Sequence, residues 1–129
     1  MAGRLGLRGR RAVGVRMSTA LTEQRCKPCE GGVAPLPLHE AQSLMKQLSD
    51  NWKLAGDGRS IRAEWKFRNF YHAMSFVNAV AHIANTEDHH PDLEVGYGYC
   101  RMTYNTHAIG GLSQNDFICA AKVDALPRT

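Results

Sequence analysis

The stretch SIRAEWKFR, residues 60–68, alternates apolar and charged side chains more regularly than any other part of the 129-residue chain. Successive residues of a β-strand point to opposite faces, so this pattern predicts a strand with one buried face and one wet face. A sheet with one wet face is covered on one side only, which requires the other elements to pack together on the opposite side. The inward residues are Ile61, Ala63, Trp65 and Phe67, and the outward residues are Arg62, Glu64, Lys66 and Arg68.

The remaining patterns predict three helices and three further strands. Apolar residues at helical spacing indicate helices within residues 37–51, over 70–85 behind an Asn69 cap, and after Ser113, where Asp116 makes a near capping box. Strands are expected at 52–54, 92–95 and 100–106, with turns at 56–58 and 96–99. The order predicts an α+β fold: a four-stranded antiparallel sheet with three helices packed on one face.

The positive charge of the chain is concentrated at its N-terminus. The formal net charge is +4, but residues 1–16 hold five of the 16 basic residues and none of the 12 acidic ones. Because the rest is near neutral, a phosphate-binding face is not supported and we expect no nucleic-acid partner. We divide the chain into an Arg-rich leader, residues 1–24, and a single domain, residues 25–129.

The leader fits two interpretations. Residues 1–16 are Arg-rich and acid-free, as mitochondrial targeting segments are, but their four glycines weaken the amphipathic helix that such a segment needs. The other interpretation is a disordered leader or one translated from an upstream start, with Met17 as the natural start. We expect a cytoplasmic protein, or a mitochondrial one if residues 1–16 are a transit peptide. No apolar run approaches the length of a membrane span, so no membrane partner is expected.

Cys26 and Cys29 form the one CxxC motif of the sequence. A structural zinc site would need a second ligand pair, and none stands at matching spacing. A redox CxxC is expected to follow a strand and open a helix, whereas this one runs into Glu-Gly-Gly. We therefore expect this segment to be solvated or packed as a loop.

Two of the six histidines, His89 and His90, are adjacent, and Pro91 holds His90 extended. They lie where the second helix ends and the third strand begins. Because the following hairpin leaves and returns, the end of the fourth strand lies beside the start of the third, and His107 follows that end. The topology predicts three imidazoles at one rim of the sheet.

A carboxylate joins these histidines if Gly110-Gly111 folds the chain back and starts the last helix near the same rim. Asp116 would then either cap its helix locally or orient an imidazole and raise its proton affinity. Three imidazoles with an acid suit either metal binding or metal-free proton transfer near neutral pH. Adjacent residues of an extended chain project to opposite faces, so chelation of one ion by His89 and His90 is disfavoured and acid/base chemistry is the better interpretation.

Residues 89–116, HHPDLEVGYGYCRMTYNTHAIGGLSQND, resemble the pterin-4a-carbinolamine dehydratase family, also known as dimerization cofactors of a homeodomain transcription factor. The shared features are the HHP triplet, the aromatic-bearing hairpin, the TH at its end and GLS-x-x-D opening the last helix. The similarity extends upstream through FRNFYHAMSFVNAVA to CKPCEGG and covers about residues 25–127. The CKPCEGG and GYGYC segments look more like bacterial members than animal ones.

The resemblance implies the same α+β fold and an enzyme, a hydro-lyase that dehydrates 4a-hydroxytetrahydrobiopterin to quinonoid dihydropterin in tetrahydrobiopterin recycling. It implies a small-molecule pterin substrate, no metal, no cofactor, and a homodimer or homotetramer. The family's catalytic residues fall on His89, His90, His107 and Asp116, and its substrate contacts fall on His89, His90, Pro91, Thr106, His107, Ala108 and Ile109.

Within this resemblance, His90 and His107 are expected to be the acid/base pair, with His89 positioning the pterin ring. Many members carry an acid four residues before the first histidine, where this chain has Asn85, which implies a slower reaction or a shifted pH optimum. The alternative function is that of a non-catalytic dimerization partner of a transcription regulator. A third is a metal-dependent hydrolase that uses the same histidines.

Overall fold

The structure is a computed structural model that describes residues 20–29 and 31–127. Three helices and four strands follow one another in the predicted order. They are α1 (Leu38–Met45), β1 (Lys53–Leu54), β2 (Ile61–Lys66), α2 (Phe70–Glu87), β3 (Asp92–Gly96), β4 (Tyr99–Tyr104) and α3 (Gln114–Asp124). The predictions for residues 1–16 lie outside the described residues, and the division of the chain into leader and domain stays a prediction. None of the helices in the described ranges is long and apolar enough to cross a membrane.

The four strands form one antiparallel sheet in the order β1-β2-β4-β3. Its centre is the pairing of β2 with β4, which puts Ile61 opposite Tyr104. β3 and β4 form a hairpin with Asp92 opposite Thr103, so the end of β4 lies beside the start of β3. This register creates the rim at which the predicted site residues were expected.

One face of the sheet is covered and the other is wet. Along β2 and β4 every second residue is buried and joins buried residues of all three helices in a single cluster. On the opposite face, Arg101 lies 3.3 Å from Glu64 and 3.2 Å from Glu94, with its guanidinium over the Tyr99 ring. The predicted α+β fold, with its helices on one face, is confirmed.

α3 is buried on more sides than the sequence pattern predicts. A stripe of Phe117, Ala120, Ala121 and Asp124/Ala125 was expected, whereas every residue from 115 to 121 is buried. The additional cover comes from the segment before Gly31. Its 3₁₀ turn, Leu21–Glu23, was not predicted and places Leu21 in the core, and residues 26 and 27 hydrogen-bond to α3.

The β3–β4 turn leaves no room for a side chain at Gly98. A Cβ there would lie 2.9 Å from the Phe67 carbonyl oxygen, and the Gly98 carbonyl oxygen itself accepts the Phe67 N–H at 2.8 Å. We expect Gly98→Ala to lower the free energy of unfolding by about 1–3 kcal/mol, because two backbone segments must separate. Gly56→Ala is the control, since no atom lies within 4 Å of its Cβ position. Urea unfolding measures both variants, and equal losses would contradict this steric explanation.

Candidate functional site

The end of α2 determines where the two adjacent histidines point. Asp88 takes the left-handed conformation with φ 54°, and the Ala84 carbonyl oxygen accepts both the Asp88 N–H and, at 3.1 Å, the His89 N–H. This αL cap ends the helix sharply and turns the chain toward β3. As expected for an extended chain, neighbours then face opposite ways: His89 is 8% exposed and buried, whereas His90 is exposed.

The segment after β4 folds back on itself, as Gly110-Gly111 predicted. Thr106 donates its backbone N–H to the Gly111 carbonyl oxygen at 2.8 Å, and Gly110 has φ 67°, a conformation that favours glycine. Between them lies a second unpredicted 3₁₀ turn, His107–Ile109. The reversal brings Ser113, and with it the start of α3, to the end of the sheet.

Asp116 joins the two sides of this rim. Its Oδ1 lies 2.6 Å from His89 Nε2, while its Oδ2 accepts the Thr106 hydroxyl at 2.8 Å and the Ser113 backbone N–H at 2.9 Å. The carboxylate is fully buried. Asp116 therefore caps its own helix and orients an imidazole at once, although the sequence presented these as alternatives. We call Asp116, His89, Thr106 and Ser113 the Asp116 network.

The Asp116 network favours a protonated His89. Burial alone would lower the pKa of His89, but the hydrogen bond and the negative charge of Asp116 outweigh it and raise that pKa above its ordinary value. The imidazole also stacks on Tyr104, with ring centroids 5.8 Å apart and planes 7° from parallel. Hydrogen bond and stack together fix the ring in one orientation. Sequence reasoning missed Tyr104, which reads only as an inward residue of β4.

His90 and His107 are both exposed. His90 Nε2 is 3.0 Å from Asn85 Oδ1, so the side chain four residues before His89 contacts the imidazole of His90 directly. His107 follows the buried Thr106 and is exposed. The structure thus ties His89 and Thr106 to Asp116 and puts His90 and His107 next to them along the chain. Their catalytic roles, and the substrate contacts of Pro91, Ala108 and Ile109, stay predictions.

A cleft of about 230 Å³ opens beside the Asp116 network. It lies between the CxxC segment and the turn after β4, and the three histidines do not line it. Its walls are Lys27, Pro28, Cys29, Val33, Thr106, Ile109, Ser113, Gln114 and Asn115. Within residues 20–29 and 31–127, no group of three or more His, Cys, Asp or Glu side chains is arranged to hold a metal ion.

Two buried polar residues fasten the CxxC segment beside the site, and sequence reasoning missed both. Glu87 accepts the Cys26 N–H at 2.8 Å and forms ion pairs with Arg25 and Lys122, each at 3.0 Å. Asn115 pairs with the Lys27 backbone, accepting its N–H at 3.0 Å and donating to its carbonyl oxygen at 2.7 Å. The CxxC segment is therefore loop-packed on its Cys26 side, whereas Cys29 is exposed.

Burial alone would raise the pKa of Glu87. The Cys26 N–H and the Lys122 ammonium outweigh that effect and hold the pKa below its usual range. Glu87 is therefore a buried anion at neutral pH. The sequence shows Glu87 as a polar residue in the last turn of an apolar helix, but it does not show which groups this carboxylate binds.

Comparison of the sequence with known proteins gives one consistent family. The sequence model of the family described as pterin 4 alpha carbinolamine dehydratase matches residues 34–126. A protein of Nitrosomonas europaea named for this dehydratase is 58% identical over 106 residues, which is 82% of this chain and 92% of the relative. A Legionella pneumophila protein of the same name is 51% identical over 110 residues, 85% of this chain and 97% of the relative. The resemblance noted in the sequence, and the expected class of enzyme, a hydro-lyase, are confirmed.

Two solved structures share the fold. One, described as a transcriptional coactivator/pterin dehydratase from Brucella melitensis, has a TM-score of 0.66 at 28% identity and covers 70% of this chain and 96% of that one. The other is described as a pterin dehydratase-like RuBisCO assembly factor in the alpha-carboxysome. Its TM-score is 0.51 at 21% identity, and the match covers 58% of this chain and 87% of that one. At this identity the similarity shows a shared fold alone.

The Asp116 network should make the stability of the protein depend on pH. Because the folded pKa of His89 is raised, the stability contributed by its pairing with Asp116 is fully present below the unfolded pKa of about 6.5 and declines as the pH rises through the folded pKa. We expect Asp116→Asn to lower the pKa of His89, to remove this pH dependence and to cost about 3–5 kcal/mol of stability. NMR titration of the His89 ring and urea unfolding at several pH values measure these effects.

Asp124→Asn is the matched control. This carboxylate on the same helix accepts hydrogen bonds from Ser49 and from the Trp52 indole, and it has no hydrogen bond to His89. The control should lose stability without changing the titration of His89. An unchanged His89 pKa in Asp116→Asn would refute the assigned role of the carboxylate.

Proposed function

The chain belongs to the pterin 4 alpha carbinolamine dehydratase family, and from this membership we propose that it dehydrates 4a-hydroxytetrahydrobiopterin to quinonoid dihydropterin by metal-free general acid/base catalysis. The observation that carries the proposal is the shared carboxylate of Asp116. It ties the His89-His90 segment and the Thr106-His107 segment to one end of the sheet. Residues that are far apart in the sequence are thereby available to a single small substrate.

The proposed chemistry matches the residue types at this rim. Loss of water from a carbinolamine requires a proton delivered to the departing hydroxyl group and a proton taken from a ring nitrogen. An imidazole can do either near neutral pH, because its ordinary pKa lies close to 7. Exposed His90 and His107 are assigned to these two transfers, since a group that exchanges protons with a substrate must be reachable by it.

His89 is assigned a different role. It is buried, stacked on Tyr104 and held by Asp116, so it presents a ring in a fixed orientation rather than a mobile proton carrier. In the proposal it positions the pterin. Pro91, Ala108 and Ile109 are assigned to the same binding surface, together with the backbone around Thr106, whose hydroxyl is committed to Asp116.

The proposal also covers the source of the substrate, the cellular location and the oligomeric state. The substrate is the carbinolamine that aromatic amino acid hydroxylases leave, so the reaction serves tetrahydrobiopterin recycling. We assign the protein to the cytoplasm and to a homodimer or homotetramer. Exposed aromatic side chains, Tyr71 at 83% and Tyr97 at 70%, supply apolar surface for such an assembly.

The central test replaces the exposed histidines. We expect His90→Ala and His107→Ala each to slow carbinolamine dehydration by about 10²–10⁴-fold, because each removes one proton-transfer group. Stopped-flow absorbance of carbinolamine decay, with and without purified protein, measures the rate. His72→Ala is the control. His72 lies in the first turn of α2, and the length of the helix separates it from the site by roughly 25 Å, so this variant should keep full activity. Unchanged turnover in both test variants would refute the proposal.

Asn85 provides a second test. Asn85→Asp would place a carboxylate against His90 Nε2, which favours the protonated imidazole. We expect the pH–rate profile of dehydration to move to higher pH, with KM little changed. Asn78→Asp, on the exposed side of α2 two turns earlier, introduces the same charge away from His90 and should leave the profile in place. Identical profiles for Asn85→Asp and the parent protein would show that His90 does not carry the proton.

The non-catalytic alternative is a second candidate because the Brucella melitensis structure is also described as a transcriptional coactivator. A dimerization partner of a transcription regulator would bind through helix surfaces and would not need the histidines. The stopped-flow experiment separates the two, because this alternative predicts no acceleration of carbinolamine decay by the purified protein.

A further inference from the structure

Two cysteines that are 93 residues apart in the chain face each other behind the candidate site. Cys26 Sγ lies 3.6 Å from Cys119 Sγ, where the CxxC segment crosses α3. Cys119 is buried and Cys26 is partly exposed. Cys119 Sγ also lies 3.9 Å from the His89 carbonyl oxygen, so the thiol pair adjoins the residue that the Asp116 network orients.

The approach of the two sulfurs follows from a fixed backbone. Cys26 donates its N–H to Glu87 on α2, and the next residue, Lys27, is held through both its N–H and its carbonyl oxygen by Asn115 on α3. Asn115 is four residues, one helical turn, before Cys119, so the same face of α3 that holds Lys27 presents Cys119 to Cys26. Side chains of two helices thus determine the position of the Cys26 thiol.

The contact between the two thiols also changes their pKa values in a way that favours oxidation. The hydrogen bond between the two thiols lowers the pKa of Cys119, and although burial opposes this effect, the charge of His89 adds to it. The same contact raises the pKa of Cys26. Cys119 is therefore the more easily ionised of the two thiols, and the thiolate is the reactive form of cysteine.

We propose that Cys26 and Cys119 form a modification site, at which a peroxide converts the two thiols to a disulfide that fastens the CxxC segment to α3. One sulfur, as the thiolate, attacks the peroxide O–O bond; hydroxide leaves and a sulfenic acid remains. The other thiolate attacks that sulfur, the S–O bond breaks and a second hydroxide leaves. The two hydroxides take up the two thiol protons, so the products are one disulfide and two waters.

The geometry requires little movement. A disulfide bond is about 2.05 Å long, so the two sulfurs, which lie 3.6 Å apart, must approach by about 1.6 Å. Cys100 lacks this arrangement: it is buried on β4, and burial raises its pKa to about 11. The site is independent of the proposed dehydration and stands whether or not that proposal is correct.

The test is peptide mapping of the full-length protein. Reduced protein is treated with hydrogen peroxide, the remaining thiols are blocked with iodoacetamide, and trypsin is added without a reductant. We expect peptide 26–46 joined to peptide 102–122, which contains Cys119, while Cys100 is recovered alkylated in peptide 69–101. The same bond should raise the Tm by about 5 °C or more, since it closes a long loop, and dithiothreitol should reverse the increase.

Variants assign the bond to one sulfur pair. Trypsin does not cut between Lys27 and Pro28, so Cys26 and Cys29 stay in one peptide. Cys29→Ser should keep both the cross-linked peptide and the Tm increase, whereas Cys26→Ser should lose both while keeping the parent Tm under reducing conditions within a few degrees. A cross-link that survives Cys26→Ser, or that is lost in Cys29→Ser, overturns the assignment. A dominant bond between Cys26 and Cys29, or alkylation of all four thiols after peroxide, overturns it as well.

Discussion

A buried carboxylate is tolerated only where hydrogen-bond donors replace the water it has lost. The need to supply these donors to Asp116 fixes the positions of the chain segments around it. Leaving a fully buried charge uncompensated costs several kcal/mol, so Asp116 must keep its donors close. The donors are the imidazole of His89 after α2, the hydroxyl of Thr106 after β4 and the N–H of Ser113 before α3. Three segments of the chain therefore meet at the side chain of Asp116. Moving any of them away would leave the buried carboxylate without one of its hydrogen-bond donors.

The elements of the fold were predictable because their patterns are local. Alternation in β2 and β4 and the helical spacing in α2 depend on which face of each element meets the core, and the sequence shows that directly. The rim was also predictable, since a hairpin must return to its start and a Gly-Gly pair allows the chain to reverse. Asp116 was recognised as a helix cap and as a possible partner of an imidazole, but only the three-dimensional arrangement shows that it is both.

Interactions that depend on a single polar atom finding a distant partner were not predictable. Glu87 stands in an ordinary final helical turn, and Asn115 in an ordinary first one. Neither position indicates that it will hold the backbone of residues 26 and 27, some 61 and 88 residues away. The left-handed conformation of Asp88 was missed for a related reason: glycine usually marks such a cap, and here the need to turn His89 inward imposes it on another residue. The motif CKPC fits neither a zinc site nor a redox site by its spacing, and nothing in that spacing indicates that Cys26 contacts a cysteine of the last helix.

The segment before Gly31 has a consequence for where this protein can be shortened. The match to the family model begins at residue 34, yet Leu21 is part of the core and residues 25–27 neutralise or cover Glu87, Asn115 and Cys119. A chain trimmed to the matched region would retain every catalytic candidate, but it would leave an anion without its arginine and open the back of α3 to water. Expression boundaries taken from the match to the family model alone would therefore remove residues that belong to the core and to the cover of the last helix.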